Sequence, residues 1–389
     1  MIVCDLLSTF LRFRLPIAVR LRDLGHKVTL ITSDPDSTSQ RFSELAGVGI
    51  DLEVIVMNRT GMNPFRDLQY AFSLRKAFRR LQPDRILAYQ AKCATWTAIA
   101  ARPIPDAKVA ILFPGLGYLF SPSVGFKSDL LKFAVRKLCR FAYSTIDIAI
   151  FQNDEDRKTL AEHGIALEGV EIHRVNGSGV DLRVFPPSVP PNQPIRFSMA
   201  TRLLSDKGIR EFAEAARQLK SVYGAEVEFV VAGKFDRAPS AIQKQELQAW
   251  VDEGIIEYPG LVDDMQEFLL ATSVFVLPSY YMEGTPRSIL EALSVGRPVI
   301  TTDHRGCRET VDDGVNGFLI PTKSVTELAK AMETYLKQPE LLIQMGKMSR
   351  QLAESKYDVR IVASQMIQAL AIRESTQESQ TDLPAASAT

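Results

Sequence analysis

The sequence predicts an α/β protein of two doubly wound domains, each a parallel sheet covered by helices. Three observations lead to this prediction. The chain has 389 residues, more than a single hydrophobic core usually organises. Short apolar, β-branched runs alternate along it with amphipathic segments of helical period. A segment with five prolines in ten residues, from Phe185 to Pro194, separates two blocks of this kind.

The first block, residues 1–185, is predicted to form one domain. A short strand in "MIVCD" is followed by strands in "HKVTLIT", "GIDLEVIVM", "DRILAY", "AKVAILF" and "IDIAIFQN". Amphipathic segments such as "RLPIAVRLRDLG" lie between them and predict crossover helices. A parallel sheet follows from this alternation.

The second block, residues 195–355, repeats the pattern after a proline-rich linker at 186–194. Its predicted strands are "IRFSMA", "VEFVVAG", "IIEYPG", "SVFVLPS" and "RPVITTD". Residues 356–373 predict a last amphipathic helix. The polar segment 374–389 has the composition of a disordered tail.

Charge is balanced over the whole chain but not along it. Residues 1–150 hold 21 Lys and Arg against 12 Asp and Glu, and residues 151–389 hold 25 against 34. The basic first half indicates an anionic partner, with chance surface variation as the alternative. No feature of the sequence indicates nucleic-acid binding.

Cysteine spacing and hydropathy narrow the class of protein further. The four cysteines are far apart and pair with no histidine at zinc spacing, so we expect no metal site and reduced thiols in the cytoplasm. No apolar run reaches the length of a membrane span. The N-terminus has no basic and apolar signal-peptide pattern, so we expect no leader.

The stretch "EGTPRSILEALSVGRPVI", from Glu283 to Ile300, carries the main functional signal. Pro286 is predicted to open a helix with Thr285 as its N-cap, and Gly296 to end it. The loop then lies at the carboxyl end of a parallel strand, where open α/β sheets bind ligands. The free amides of Gly284 and Thr285 predict an anion site.

Two cations are predicted to face that anion. Arg202 and Lys207 follow the strand "IRFSMA", and loops after parallel strands converge on one edge. Together with the helix N-terminus they predict a diphosphate site. Glu283 and Glu291 would be repelled by phosphate, so we expect them to accept hydrogen bonds from sugar or ribose hydroxyls. Taken singly, each of these residues is explained equally well by helix-dipole compensation or a solvated charge.

The block "EGTPRSILEA" resembles the E-x7-E signature of retaining glycosyltransferases of family 4, which have the GT-B fold. "DHRGCRETVDDGVNGFLIP" and "VNGSGVDLRVFPP" are similar to neighbouring segments of that family. The look-alikes transfer N-acetylgalactosamine or a related sugar to polyprenyl-diphosphate-linked saccharides. The resemblance implies two Rossmann-like domains facing across a cleft, with acceptor on the first, donor on the second, and the helix at 356–373 packed back on the first.

The resemblance also implies roles for individual residues. Arg202 and Lys207 would neutralise the donor diphosphate, Glu291 would hold the ribose, and Glu283 would contact the donor sugar near the reacting carbon. Gly284, Thr285 and Pro286 would shape the phosphate loop. Catalysis would then rest on Glu283, Arg202 and Lys207, with no metal and no cofactor, since fixed cations supply the electrostatics.

Candidate cleft residues in the first domain are less specific. The set is Arg14, Lys92, Gly115, Gly117 and Gly179. Many relatives have a histidine where this chain has Ala91. Beside it, Lys92 either binds phosphate or is an ordinary surface lysine.

A basic amphipathic segment, residues 125–143, predicts contact with an anionic membrane, with a core helix of basic outer face as the alternative. Arg12, Arg14, Arg20 and Arg22 were expected to add to the same basic surface.

The sequence thus predicts a retaining glycosyltransferase that moves a hexose or N-acetylhexosamine from a UDP-sugar to a polyprenyl-diphosphate-linked saccharide. It would act in surface polysaccharide synthesis, in the cytoplasm, on the inner face of the cell membrane. The alternatives are a transferase of the same fold with a soluble acceptor, and a non-catalytic scaffold that binds nucleotide-sugars.

Overall fold

The computed structural model describes residues 1–34, 43, 45–58, 63–120, 126–236 and 238–372. Within them the chain forms two entirely parallel sheets with helices on both faces, which confirms the predicted fold class. The first sheet has the order β3-β2-β1-β4-β5-β6-β7. Its strands are β1 (Ile2–Cys4), β2 (Val28–Thr32), β3 (Ile50–Val54), β4 (Arg85–Tyr89), β5 (Lys108–Phe113), β6 (Ile148–Phe151) and β7 (Glu171–Arg174).

The helices of the first domain lie on both faces of its sheet. They are Leu7–Phe13, Leu15–Asp23, Pro64–Leu81, Ala91–Ala101, Phe126–Tyr143 and Asp154–Glu162. One face packs a core that includes Leu74, Ala98 and Cys139, and therefore joins the helices Pro64–Leu81, Ala91–Ala101 and Phe126–Tyr143. The opposite face packs a separate core around Phe10 and Ile17.

The second sheet has the order β12-β11-β10-β8-β9. Its strands are β8 (Ile195–Ala200), β9 (Val227–Ala232), β10 (Val274–Leu277), β11 (Val299–Thr302) and β12 (Gly317–Ile320). Its helices are Ile209–Tyr223, Lys244–Asp252, Met265–Leu270, Arg287–Val295, Arg305–Arg308, Val325–Lys337 and Glu340–Leu352. The prediction of a strand in "IIEYPG" is wrong, since Glu257 forms only an isolated bridge with Val230.

The last helix, Val359–Ala369, is shorter than the predicted 356–373 because Ala353–Tyr357 forms a π-helical turn before it. Asp358 caps it by accepting a hydrogen bond from the Arg360 amide at 2.9 Å. Its buried residues Met366 and Ile367 belong to the core of the first domain, on the face of helix Leu15–Asp23. The predicted tail at 374–389 lies outside the described residues.

Strand order decides where ligands can reach the two sheets. In the first sheet the order reverses between β1 and β4, and in the second between β8 and β10. Loops diverge at such a reversal and leave a crevice at the carboxyl ends of the strands. The loops after β8 and β10 carry the residues that the sequence singled out, so the topology brings them to one crevice.

Candidate active site

Lys207 and Glu283 form an ion pair at the reversal point of the second sheet. Lys207 ends the short 3-10 turn Ser205–Lys207 after β8, and Glu283 lies in the loop after β10. The Lys207 Nζ is 2.5 Å from Glu283 Oε2, and Ser279 Oγ donates to Glu283 Oε1 at 2.7 Å. Neither charged side chain is fully enclosed, since Lys207 is 8% and Glu283 17% exposed. Both therefore border the crevice.

Tyr281 brings the second predicted cation to the same place. Its ring lies 5.0 Å from the Lys207 ammonium and 5.4 Å from the Arg202 guanidinium. Arg202 also donates to Asp236 Oδ2 at 3.1 Å. Arg202 and Lys207 thus converge on one ring, three residues before Gly284, as an anion site requires.

The backbone amides expected to bind phosphate are hydrogen-bonded to the first domain. Gly284 N–H donates to the Pro114 carbonyl at 3.0 Å, and Thr285 N–H donates to Gln152 Oε1 at 3.0 Å. The predicted anion contact by these amides is therefore not what this structure has. The donor loop, residues 281–286, is instead held against the loops that follow β5 and β6.

The helix after the donor loop begins one residue later than predicted. Pro286 is the N-cap, with φ −66° and ψ 120°, and the helix covers Arg287–Val295. Thr285 makes no capping contact because its segment is tied to Gln152. Gly296 ends the helix in a left-handed conformation, φ 81°, as predicted.

Glu291 is enclosed between two arginines. Its Oε1 accepts from Arg287 Nε at 3.0 Å, one turn earlier on the same helix, and from Arg12 of the first domain at 3.2 Å. Its Oε2 has only a 3.5 Å contact with Arg12. An ionised carboxylate offers about four acceptor positions. Glu291 therefore keeps capacity to accept hydroxyl hydrogens, although its role with ribose is a proposal.

The predicted glycines of the first domain line the interface with the donor loop. Gly115, at φ 124°, lies so close that an added Cβ would stand 2.6 Å from the Gly284 nitrogen. Gly117 N–H donates to the Met282 carbonyl at 2.8 Å. The Gly179 carbonyl accepts from Arg287 at 3.0 Å.

Arg14 and Lys92 are not placed as the sequence suggested. Arg14 is buried, 5.5 Å from the Tyr89 ring, and burial lowers its pKa to about 10. Lys92 is held within the first domain, with its Nζ 2.7 Å from the Asp67 carboxylate. Lys92 is therefore neither an open phosphate ligand nor an ordinary surface lysine.

Three residues of the site were not found from the sequence. Besides Gln152 and Arg12, His304 follows β11 and has a buried ring nitrogen, Nε2, without a hydrogen-bond partner. Burial and the nearby Arg305 and Arg308 lower the pKa of His304, which favours the neutral ring. Position could have indicated Gln152 and His304, since each directly follows or closely follows a parallel strand, whereas Arg12 lies in the last turn of the helix Leu7–Phe13.

The described part of the chain contains no group of three or more His, Cys, Asp or Glu that could hold a metal ion. Its four cysteines are buried and free.

The helix Phe126–Tyr143 turns apolar side chains outward. Leu130 is 61% and Phe133 58% exposed, whereas Lys132 is buried. Lys137 lies 5.4 Å from the Phe133 ring. The same helix buries Cys139 and Ala142 in the core and exposes Lys137 and Arg140, so its outer face carries both apolar and basic side chains.

A second helix on the same side of the sheet, Pro64–Leu81, has a similar outer face. Phe65 is 84% and Phe72 56% exposed, with Leu68 between them. Its one acid, Asp67, is buried, and its exposed charges are the cations Arg66, Lys76, Arg79 and Arg80. No helix in the described residues is long and apolar enough to cross a bilayer.

The predicted arginine set does not form a basic surface of this kind. Arg12 pairs with Glu291, Arg14 is buried, and Arg22 donates to the Val48 carbonyl at 2.7 Å. The helix Leu15–Asp23 also lies on the opposite face of the sheet. We therefore correct the prediction that these residues extend the basic surface.

Comparison with known proteins gives matches to both halves of the chain. Residues 12–176 match the family described as glycosyl transferase 4-like domain, and residues 195–338 match glycosyl transferases group 1. The N,N'-diacetylbacillosaminyl-diphospho-undecaprenol alpha-1,3-N-acetylgalactosaminyltransferase of Campylobacter jejuni is 28% identical over 374 residues, 92% of this chain and 95% of that protein. The putative glycosyltransferase EpsD of Bacillus subtilis is 26% identical over 329 residues, 79% of this chain and 81% of its own.

Solved structures share the fold over nearly the whole chain. Anabaena Alr3699/HepE, solved in complex with UDP-glucose, has a TM-score of 0.73 at 17% identity, covering 95% of this chain and 98% of its own. Sucrose-phosphate synthase from Thermosynechococcus elongatus has a TM-score of 0.74 at 17% identity, covering 94% and 96%.

Proposed function

The chain belongs to the group 1 glycosyltransferases of polysaccharide biosynthesis, with the GT-B fold, and on this premise we propose that it is a retaining, metal-independent transferase. It moves a hexose or N-acetylhexosamine from a UDP-sugar to a polyprenyl-diphosphate-linked saccharide. The single observation that carries the proposal is the convergence of Lys207 and Arg202 on the Tyr281 ring, with Glu283 paired to Lys207.

The donor chemistry follows from the charges at this point. Two cations at the carboxyl edge of the sheet suit a diphosphate. Glu283, which Lys207 neutralises at 2.5 Å, is an acceptor for a sugar hydroxyl next to that diphosphate. Glu291 accepts a hydrogen bond from a ribose hydroxyl through Oε2, which has only the 3.5 Å contact with Arg12. The UDP-glucose complex of the similarly folded Anabaena protein supports a UDP-sugar as donor.

In the reaction, the bond between the anomeric carbon and the diphosphate oxygen breaks, and a bond to the acceptor hydroxyl forms on the same face. The hydroxyl proton passes to the departing diphosphate. Lys207 and Arg202 stabilise the negative charge that develops there, and fixed cations in a partly dry groove do so efficiently. No step uses a metal or a cofactor.

The acceptor class rests on the Campylobacter relative, whose name specifies an undecaprenol diphosphate substrate, and on the outer surface of the first domain. Helices Pro64–Leu81 and Phe126–Tyr143 both expose phenylalanines next to cations on one side of the sheet. Such faces suit the interface of an anionic leaflet. We therefore propose peripheral binding to the cytoplasmic face of the cell membrane, where a lipid-linked acceptor would be presented.

The test is a transfer assay with purified protein and a panel of UDP-sugars. A polyprenyl-diphosphate-linked N-acetylhexosamine in detergent serves as acceptor, with product mass by mass spectrometry and anomeric configuration by NMR. We expect one UDP-sugar to be consumed, an α-linked product from the α-donor, and no loss of rate with EDTA. An inverted product or EDTA sensitivity would overturn the mechanistic part.

Two control reactions separate the alternatives. The same saccharide without its lipid diphosphate should be a poor acceptor, and equal rates on both would indicate a soluble-acceptor transferase. A scaffold would bind a UDP-sugar, and so raise the unfolding temperature by mass action, but would never turn it over. The Glu283→Gln variant measures the background rate in both control reactions.

A further inference from the structure

The donor loop is positioned by the opposite domain through a buried glutamine. Gln152 directly follows β6, is almost completely buried, and its Oε1 accepts the Thr285 amide hydrogen at 3.0 Å. A Cβ added to Gly284 would stand 2.1 Å from the same oxygen. The glutamine therefore reaches the loop only because residue 284 has no side chain.

An ion pair four residues after Gln152 joins the same first-domain segment to another turn of the second domain. Arg305 of the second domain donates to Asp156 Oδ1 at 2.9 Å and to Thr159 Oγ1 at 3.3 Å. Asp156 is fully buried, and Asn153 Nδ2 donates to its other oxygen at 3.1 Å. Removing one partner of a buried pair leaves an uncompensated charge, so this contact strongly favours the assembled arrangement.

The turn that carries Arg305 also touches the donor loop. Arg305 has φ 35°, a left-handed conformation that is unfavourable for a residue with a side chain. The next residue, Gly306, packs so closely that an added Cβ would lie 2.0 Å from the Gly284 carbonyl oxygen. One turn thus joins the first domain by its arginine and supports the loop of Glu283 by its glycine.

Resting on the proposed function, we propose that Gln152 is a positioning residue for transfer: it fixes the loop of Glu283 when the domains close, and the Asp156–Arg305 pair holds the domains at the separation this requires. Closure of the cleft and correct placement of Glu283 are then a single event. Water is excluded whenever the acid is in position, which limits hydrolysis of the donor.

The kinetic test compares Gln152→Ala with Gln152→Glu, which keeps an acceptor oxygen. We expect Gln152→Ala to lower kcat for transfer by about tenfold, the loss of one buried hydrogen bond, with little change in donor KM. Hydrolysis of the donor should rise relative to transfer, and Gln152→Glu should restore part of kcat. Gln365→Ala is the matched control. Gln365 also accepts a hydrogen bond from a backbone amide of the first domain, that of Asn176, but it lies far from the donor loop along the chain.

A distance measurement tests the same inference without any substrate. Labels on Lys108→Cys and Lys337→Cys, one exposed position in each domain, report closure, and the native cysteines are buried. We expect one short distance in the parent protein and a broader, longer distribution in Gln152→Ala and in Asp156→Asn. Melting curves establish that each variant is folded.

The outcomes separate the two proposals. If the parent protein turns over no nucleotide-sugar, the proposed function fails, while the distances still decide whether Gln152 holds the loop. If Gln152→Ala leaves kcat and the distances unchanged, or binds donor more tightly without loss of rate, the positioning role is overturned.

Discussion

The ammonium of Lys207 lies 2.5 Å from the carboxylate of Glu283, although the two residues are 76 positions apart in the chain. They meet because β8 and β10 are neighbours in the sheet and the loops after them leave on one edge. The pair is the charge relationship on which the site depends. A bound diphosphate would compete with Glu283 for Lys207, so donor binding would release the Glu283 carboxylate from its ion pair.

Replacing Lys207 with alanine should lower kcat for transfer by about a hundredfold or more, since the cation that stabilises the leaving diphosphate is lost. Steady-state assays with saturating acceptor measure this. Arg210→Ala is the matched control, because it also removes a cation from an ion pair, the partly exposed pair of Arg210 with Glu246. Equal rates for Lys207→Ala and the control would contradict the site.

Gly115→Ala should reduce transfer by about tenfold or more, because its Cβ would stand 2.6 Å from the Gly284 nitrogen and its φ of 124° disfavours a side chain. Gly169→Ala is the control: its φ is also positive, at 74°, but an added Cβ there meets no atom within 4 Å. The transfer rate and the unfolding temperature, measured for each variant, distinguish a loss of activity from a loss of stability. A loss of the same size in both variants would argue against a role for close approach at Gly115.

Stability should depend on pH through Asp156. Burial raises the pKa of Asp156 to about 6, although Arg305 and Asn153 oppose this and Glu155 adds to it. The folded state then binds more protons than the unfolded state between about pH 4 and pH 6, so this group's contribution to stability falls as the pH rises across that window. The variant Asp156→Asn lacks this titration.

Urea unfolding of both proteins at two pH values checks the sign. The free energy of unfolding of Asp156→Asn minus that of the parent should increase by about 2 kcal/mol between about pH 4.5 and about pH 7, because only the parent loses this contribution to stability as the pH rises. A difference that stays constant with pH would show that Asp156 titrates in the ordinary range.

Substituting the exposed phenylalanines Phe65 and Phe72 with serine should weaken binding to vesicles. Each buried phenylalanine contributes about 1.5–3 kcal/mol at most, so partitioning should fall by about tenfold or more. Flotation with vesicles containing anionic lipid measures it, with Val222→Ser, an exposed apolar residue of the second domain, as control. Transfer to a detergent-solubilised acceptor should be unchanged; equal flotation of all three proteins would refute the surface.

Much of the fold could be predicted because buried parallel strands are apolar on both faces. The strands β8 and β9 appear in the sequence as "IRFSMA" and "VEFVVA", nearly all of whose residues are buried. The strands β7 and β12 were not recognised, because they lie at sheet edges and are partly exposed. Conversely, "IIEYPG" has an apolar beginning but pairs at a single bridge only.

The part of the candidate site that a single domain builds could be predicted from the sequence. The order of strands and loops brings Lys207 to the loop of Glu283, although the sequence predicted a bound anion rather than Glu283 as the partner of Lys207. The partners of Gly284, Thr285 and Glu291 could not be predicted, because Pro114, Gln152 and Arg12 come from the other domain. No periodicity or spacing encodes which loops of two separate sheets will touch.

The sequence by itself determined the two parallel sheets, the family, and the presence of two acids and two cations at one sheet edge, since these follow from local patterning and strand order. Only the tertiary structure decided that the donor-loop amides are used by the first domain, that Glu291 is enclosed by Arg12 and Arg287, and that apolar side chains face outward beside cations on the helix Phe126–Tyr143. The reason is physical: hydrogen bonds and ion pairs between domains depend on how two rigid bodies dock, and docking is set by the whole interface rather than by any one segment.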